Sequence, residues 1–166
     1  AAPRASVSGG AGVQGVPAGT TAVASLAGVS SASTDLSFRV RLDSVPNGAV
    51  YLAATGRRVG SGEYGARVKV SPGGAVELHT SRSGTVLAGG VLSGVTLAAG
   101  DELRVRVQVD GTAPTTVRAK AWKNGTAEPA ACTFEFHRTC TAKSCAYRSA
   151  RRRSRFTDRA RRRATL

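Results

Sequence analysis

Leu103, Val105, Val107 and Val109 fall on every second position of LRVRVQV, and Arg104, Arg106 and Gln108 fill the positions between. Side chains alternate across a strand, so this stretch has one buried face and one wetted face. The same period returns in LSFRVRL, where Leu36, Phe38, Val40 and Leu42 oppose Ser37, Arg39 and Arg41. It returns again in YGARVKV, with Tyr64, Ala66, Val68 and Val70 on one side, and in TTVRAKAW, with Val117, Ala119 and Ala121 inward and Arg118, Lys120 and Trp122 outward. AVELHT places Val76 and Leu78 inside. AVYLAAT (49–55) is apolar almost throughout, and is expected at a more central position in its sheet. Turn residues separate the runs at 44–48, 71–74 and 110–114. Residues 57–62 read as a loop, and 81–94 as a Gly/Ser-rich stretch with a short strand near 85–87. No segment has a helical period. The chain is expected to be all-β, an antiparallel sandwich or barrel.

Composition divides the chain. All 20 glycines lie between Gly9 and Gly125, and the three cysteines, Cys132, Cys140 and Cys145, all follow. Eleven of the 24 Lys/Arg stand in residues 138–166 beside one acid, Asp158, so the net charge of +14 is concentrated at the C-terminal end. We expect a Gly/Ala/Ser-rich linker at 1–19, a β-sandwich domain at 20–130 that opens with a short strand in TTAVASLA, and an Arg- and Cys-containing tail at 131–166. There is no apolar run of 18 residues to span a membrane as a helix. The start at Ala1 is that expected of a mature or excised piece.

The strand–turn–strand LDSVPNGAVYLAATGRRVG, the pair Glu63-Tyr64 ahead of RVKV, the strand LRVRVQVDGTAPTTVRAKAW and the following NGTAEPAA resemble a domain of large secreted proteins of high-GC Gram-positive bacteria, often beside polycystic-kidney-type (PKD) repeats. The resemblance covers residues 20–131. It implies a concanavalin/laminin-G-like jelly roll and an extracellular, non-catalytic module of adhesion or carbohydrate-recognition type. Such domains continue with a Trp-containing strand and a closing strand ending in a pattern like RFDDL. Here the chain reads CTFEFHRTCTAKSCAYRSARRRSRF instead. The closing strands are therefore expected to be missing, the ending from residue 131 is expected to be an out-of-frame one, and TFEFHR is the segment able to supply a makeshift strand.

Several motifs carry chemistry elsewhere. Residues 60–65 match GxGxxG, but a strand pattern follows where a dinucleotide site needs a helix N-terminus; a hairpin loop is the expectation. Cys132, His137, Cys140 and Cys145 have the spacing C-x4-H-x2-C-x4-C, without the closely paired cysteines of structural zinc sites. No metal or other cofactor is expected, and no acidic loop cluster calls for calcium. Glu77 stands between Val76 and Leu78, and Asp101 and Glu102 point to opposite sides of a strand; neither offers the facing carboxylates of a glycosidase. HExxH, GxSxG and the P-loop are absent, and we expect no enzyme.

What remains is surface recognition. The outward face carries Arg39, Arg41, Arg104, Arg106, Arg118, Lys120 and Trp122: guanidinium donors suited to acidic glycans, with one indole for stacking on a sugar ring. Large aromatics are rarely fully exposed, which favours Trp122, like Tyr51 and Tyr64, capping the core edge or packing under a loop. Arg151, Arg152, Arg153, Arg155, Arg161, Arg162 and Arg163 would hold polyanions, nucleic acid included, without sequence preference. The expected function is polysaccharide binding at a cell surface or in the environment. The alternatives are a spacer domain without ligand and a polyanion-binding tail.

Overall fold

A computed structural model describes residues 4–26 and 28–137. The chain separates into two compact units, residues 1–30 and 31–166. In the first, β1 (Arg4–Ser8) pairs antiparallel with β2 (Ala11–Gly15). The linker expectation missed this hairpin. Gly9 and Gly10 form its turn with φ of 57° and 76°, and a two-residue turn with both central φ positive suits the twist of paired strands. The strand expected in TTAVASLA does not form; residues 20–26 have no regular structure.

The second unit is all-β: two antiparallel four-stranded sheets packed face to face. One has the order β10-β9-β8-β3, built from β3 (Thr34–Arg41), β8 (Glu102–Asp110), β9 (Thr116–Lys123) and β10 (Phe134–His137). The other is a meander of β4 (Val50–Val59), β5 (Gly62–Val70), β6 (Ala75–Arg82) and β7 (Thr85–Thr96). The inward sets named from the alternation meet between them. Val68, Val70, Val76 and Leu78 face Leu103, Val105, Val107, Val109, Val117, Ala119 and Ala121, all nearly inaccessible to solvent. Leu36, Phe38, Val40, Leu52, Tyr64 and Phe134 pack around them. Among the described residues no helix is long and apolar enough to cross a membrane.

Three local expectations are corrected. Residues 57–62 are no loop: β4 runs to Val59, β5 starts at Gly62, and a tight hairpin joins them. β7 spans Thr85–Thr96 rather than three residues; its glycines, which depress strand propensity, are carried by pairing with β6. AVYLAAT lies in β4, an edge of its sheet rather than its centre. At the C-terminal end β10 pairs with Thr116–Ala119 of β9, so TFEFHR does contribute a strand.

The loop misreading concealed Arg57. A bulge between Thr55 and Arg57 shifts the register of β4 against β5. Tyr51, Ala53 and Thr55 point outward, and strict alternation would send position 57 out too; the extra residue turns Arg57 inward, where it is 8% exposed. Its Nη1 donates to the carbonyls of Ala32 (2.7 Å) and Gly111 (2.7 Å), and Nη2 donates to Thr115 Oγ1 (2.7 Å). The guanidinium lies 5.1 Å from the Tyr64 ring centroid. Gly56 makes the close approach possible, since a Cβ there would stand 2.7 Å from Val109 Cγ2 and 2.9 Å from Thr34 Oγ1.

Arg57→Ala leaves two carbonyls and a hydroxyl without their donor, and is expected to lower stability by about 2–5 kcal/mol. Arg58→Ala, at a side chain 65% exposed, is expected to cost less than about 1 kcal/mol. Urea unfolding of both variants measures the difference; equal losses would show that the buried guanidinium fastens nothing.

Candidate functional site

Strand register brings the seven sequence-predicted residues onto one outer face, that of β10-β9-β8-β3. Arg39, Arg104 and Trp122 form one cross-strand row; Ser37, Arg106 and Lys120 form the next; Asp35, Gln108, Arg118 and Glu135 form a third. The last row shows what the alternation alone did not: acids share the face. Arg106 grips Asp35 with two parallel bonds, Nε to Oδ1 at 2.8 Å and Nη2 to Oδ2 at 2.6 Å, and its Nη1 reaches Glu128 at 3.0 Å. Arg118 bonds Glu135 at 2.8 Å, and Lys123 bonds Asp101 at 2.6 Å. Arg39 stands 3.5 Å from Glu102 and Arg41 3.8 Å from Asp43. Arg104 donates to Asn124 Oδ1 at 2.7 Å.

The segment after β9 folds back over this face. Lys120 Nζ contacts Glu128 at 2.5 Å and donates to the carbonyl of Pro129 at 2.9 Å, which leaves its side chain 12% exposed. Trp122 sits beside it, with Lys120 Nζ 5.9 Å from the ring, and is 6% exposed. The indole is outward by parity yet covered, as the reading of a large aromatic under a loop anticipates. It offers no open ring to a ligand. Arg151–Arg153, Arg155 and Arg161–Arg163 lie outside the described residues, as do Cys140 and Cys145. Among the described residues no group of three His, Cys, Asp or Glu is placed to hold a metal ion.

The outer face of β4-β5-β6-β7 is different. Tyr51, Lys69, Glu77 and Val91 make one row; Ala53, Arg67 and His79 make the next; Thr55, Gly65 and Ser81 make the third. Tyr51 is 55% exposed, and the Arg67 guanidinium lies 5.2 Å from its ring centroid. Lys69 Nζ donates to Glu77 Oε1 at 2.7 Å, and His79 Nε2 stands 3.7 Å from Glu77 Oε2. The Lys69 bond holds Glu77 below the ordinary carboxylate range, and Glu77 in turn holds Lys69 above the ordinary ammonium range. Arg67 has no carboxylate within ion-pairing distance among the described residues, and its enclosed Nε has no hydrogen-bond partner; nor has His79 Nδ1. Beside Arg67 the small residues Ala53, Thr55, Gly65 and Ser81 leave an open depression of about 120 Å³, bounded at the hairpin end by Glu63 and Ser83.

A guanidinium and hydroxyls around a shallow depression, with an exposed ring against that guanidinium, can bind a flat, hydroxylated molecule by stacking and hydrogen bonding. Sequence reasoning favoured Tyr51 capping the core edge or packing under a loop, whereas it is 55% exposed, and it passed over Arg67 and His79. Parity was the available signal: Tyr51 opposes Leu52, as Arg67 opposes Val68. Alanine at 53 hid it, because a small apolar residue reads as core whichever way it points.

The covered face yields a pH prediction. Burial pushes the Asp35 carboxyl up, but hydrogen bonds from Arg106 and Gln108, with the Arg106 and Lys120 charges, outweigh it and hold the group below its ordinary 3.8. Glu128, bonded above all by Lys120, is also held low. A lowered carboxyl lends stability that is full above its unfolded value and lost as pH falls through its folded value. Stability is therefore expected to fall with pH below 3.8, and Asp35→Asn is expected to flatten that fall, read from urea midpoints across a pH series. An identical pH profile in the variant would count against this assignment.

Compared with protein-family models, curated proteins and solved structures, the chain matches none of them.

Proposed function

We propose that this chain is a non-catalytic, extracellular accessory module that binds polysaccharide through the outer face of β4-β5-β6-β7. The observation that carries the reading is the accessible Tyr51 ring lying against Arg67, whose own side chain lines an open depression. A sugar presents an apolar face of C–H groups that stacks on such a ring, while its hydroxyls bond neighbouring polar groups. Thr55, Ser81 and Ser83 place hydroxyls at the depression. Long polymers need only shallow contacts of this kind, because successive units bind along one surface and their contributions combine.

The finer fold belongs to the same proposal. We read the sandwich as a reduced jelly roll. In support, β3 pairs with β8 across the whole excursion of β4 to β7, so the meander is bracketed by one antiparallel pair. This agrees with the resemblance to concanavalin/laminin-G-like domains of secreted proteins, from which the extracellular placement is taken. A second reading, polyanion binding through Arg151–Arg153 and Arg161–Arg163, is favoured by the charge density of residues 138–166.

A glycan array with the full chain tests the first reading. A glycan that binds wild type is expected to bind Tyr51→Ala about tenfold more weakly, a loss of about 1.4 kcal/mol. Arg39→Ala and Arg41→Ala, on the opposite face, are expected to leave binding unchanged. Tyr51→Ala should not move the urea midpoint, since the ring is exposed. An array without hits would leave the spacer role; hits lost only on replacing the C-terminal arginines would favour the tail.

A further inference from the structure

In both sheets most half-buried cations meet a carboxylate. On β10-β9-β8-β3 the half-buried cations Arg106, Arg118, Lys120 and Lys123 each contact a carboxylate. On β4-β5-β6-β7 Lys69 does the same with Glu77, and Arg58 is paired with Glu63. Arg57 donates from both Nη atoms to two carbonyls and a hydroxyl, although its Nε, like that of Arg67, is enclosed without a partner. Arg67 departs from the pattern. It is half-buried in the middle of a sheet, its side chain makes no hydrogen bond to another described residue, and its Nε is closed off without a partner. Burying a guanidinium without an anion is unfavourable, and proteins that retain one have a use for it.

The surroundings specify that use. Lys69 and Glu77 cancel each other, as do Arg58 and Glu63, so the positive charge of the depression is that of Arg67. His79 faces Arg67 directly across β5 and β6 and supplies no negative charge. The Tyr51 ring limits the swing of the guanidinium, which keeps its planar fork beside the opening. A fork of this kind matches a carboxylate through two parallel bonds. We infer that the site selects acidic sugar units: Arg67 takes the carboxylate of a uronic acid residue whose pyranose ring stacks on Tyr51. The inference rests on the glycan reading above and narrows it from polysaccharide to polyuronate.

The test pairs oligogalacturonate with its carboxyl-reduced counterpart, which keeps the ring and linkage and loses only the charge. All proteins are the full chain carrying Arg151→Gln, Arg152→Gln, Arg153→Gln, Arg161→Gln, Arg162→Gln and Arg163→Gln, so that the tail does not hold the acidic probe. Titration calorimetry at about 0.15 M salt screens remote charges. The wild-type face is expected to prefer the acidic form by about tenfold or more. Arg67→Gln is expected to bind both forms with the affinity of the reduced one. Arg67→Lys keeps the charge without the fork and is expected to recover part of the preference. Tyr51→Ala is expected to weaken both forms, and to narrow the preference as well because the ring no longer steadies Arg67.

Equal binding of the two probes by wild type, or an undiminished preference in Arg67→Gln, would overturn the uronate inference and leave glycan binding standing. Binding of neither probe, with the glycan array also empty, would remove both. Unchanged urea midpoints for Arg67→Gln and Arg67→Lys tie the loss to the site rather than to unfolding.

Discussion

A guanidinium buried at one end of the sandwich fastens two stretches of chain that sequence keeps far apart from it and from each other. Arg57 holds the carbonyl of Ala32 before β3, the carbonyl of Gly111 in the β8–β9 turn and the hydroxyl of Thr115. No carboxylate shares the site. Burying a charge this way is costly unless acceptors surround it, and here two carbonyls, a hydroxyl and the face of Tyr64 offset the loss of water. The arrangement depends on one inserted residue. Without the bulge at Gly56, the alternation of β4 would point Arg57 at solvent, and the chain before β3 and the β8–β9 turn would lose their common donor. β4 is an edge strand with one hydrogen-bonded neighbour. Arg57 and the 2.8 Å bond from Thr34 Oγ1 to the carbonyl of Gly56 hold its far end to the opposite sheet.

The same economy governs the outer surface of β10-β9-β8-β3. Its basic residues looked from sequence like a cationic face open to an acidic partner. In the fold Arg106, Arg118 and Lys120 are paired with acids from β3, β10 and the segment after β9. Asp35 and Arg106 are 71 residues apart. Such pairs contribute little each when exposed. Together they hold the returning segment to Arg106 and Lys120, and Lys120 lies beside the covered indole of Trp122. The middle of the face is a seam of cross-strand pairs, whereas Arg39, Arg41 and Arg104 at its margin stay exposed.

What could be read in advance follows from the range of the cause. The buried halves of β3, β5, β6, β8 and β9 were legible because alternation is local: Val105 and Val107 are inward whatever lies opposite them. The ends and the order of strands were not. Gly89, Gly90 and Gly94 made β7 look like a loop, since propensity counts against glycine and the stabilising pairs lie on β6. Residues 57–62 were read as loop because a bulge breaks the two-residue period at the point where the buried arginine stands. The meeting of Tyr51 and Arg67 was not foreseen because their juxtaposition is diagonal between strands, and register is not written in either strand alone. Trp122 was half legible: parity gave its side, and its size gave the expectation of a cover.

The edge position of β4 and the proposed site explain one another. A tyrosine on a central strand is flanked by side chains from both neighbours, which narrows access to its ring. Tyr51 has a neighbour on one side, and on that side the diagonal residue is an arginine that lies along the ring instead of burying it. The next residue outward on β4 is Ala53, and the row beyond it is Thr55, Gly65 and Ser81, so the sheet surface drops away past Ala53 rather than rising. An edge tyrosine, a supporting arginine and a run of small residues are each unremarkable in a β-sandwich. Placed in register by β4 and β5, they form a ledge with one charge and one flat wall. The bulge that turns Arg57 into the core begins where this ledge ends, at Thr55. One inserted residue therefore sets the outward run of Tyr51, Ala53 and Thr55 apart from the inward anchor that keeps the strand in place.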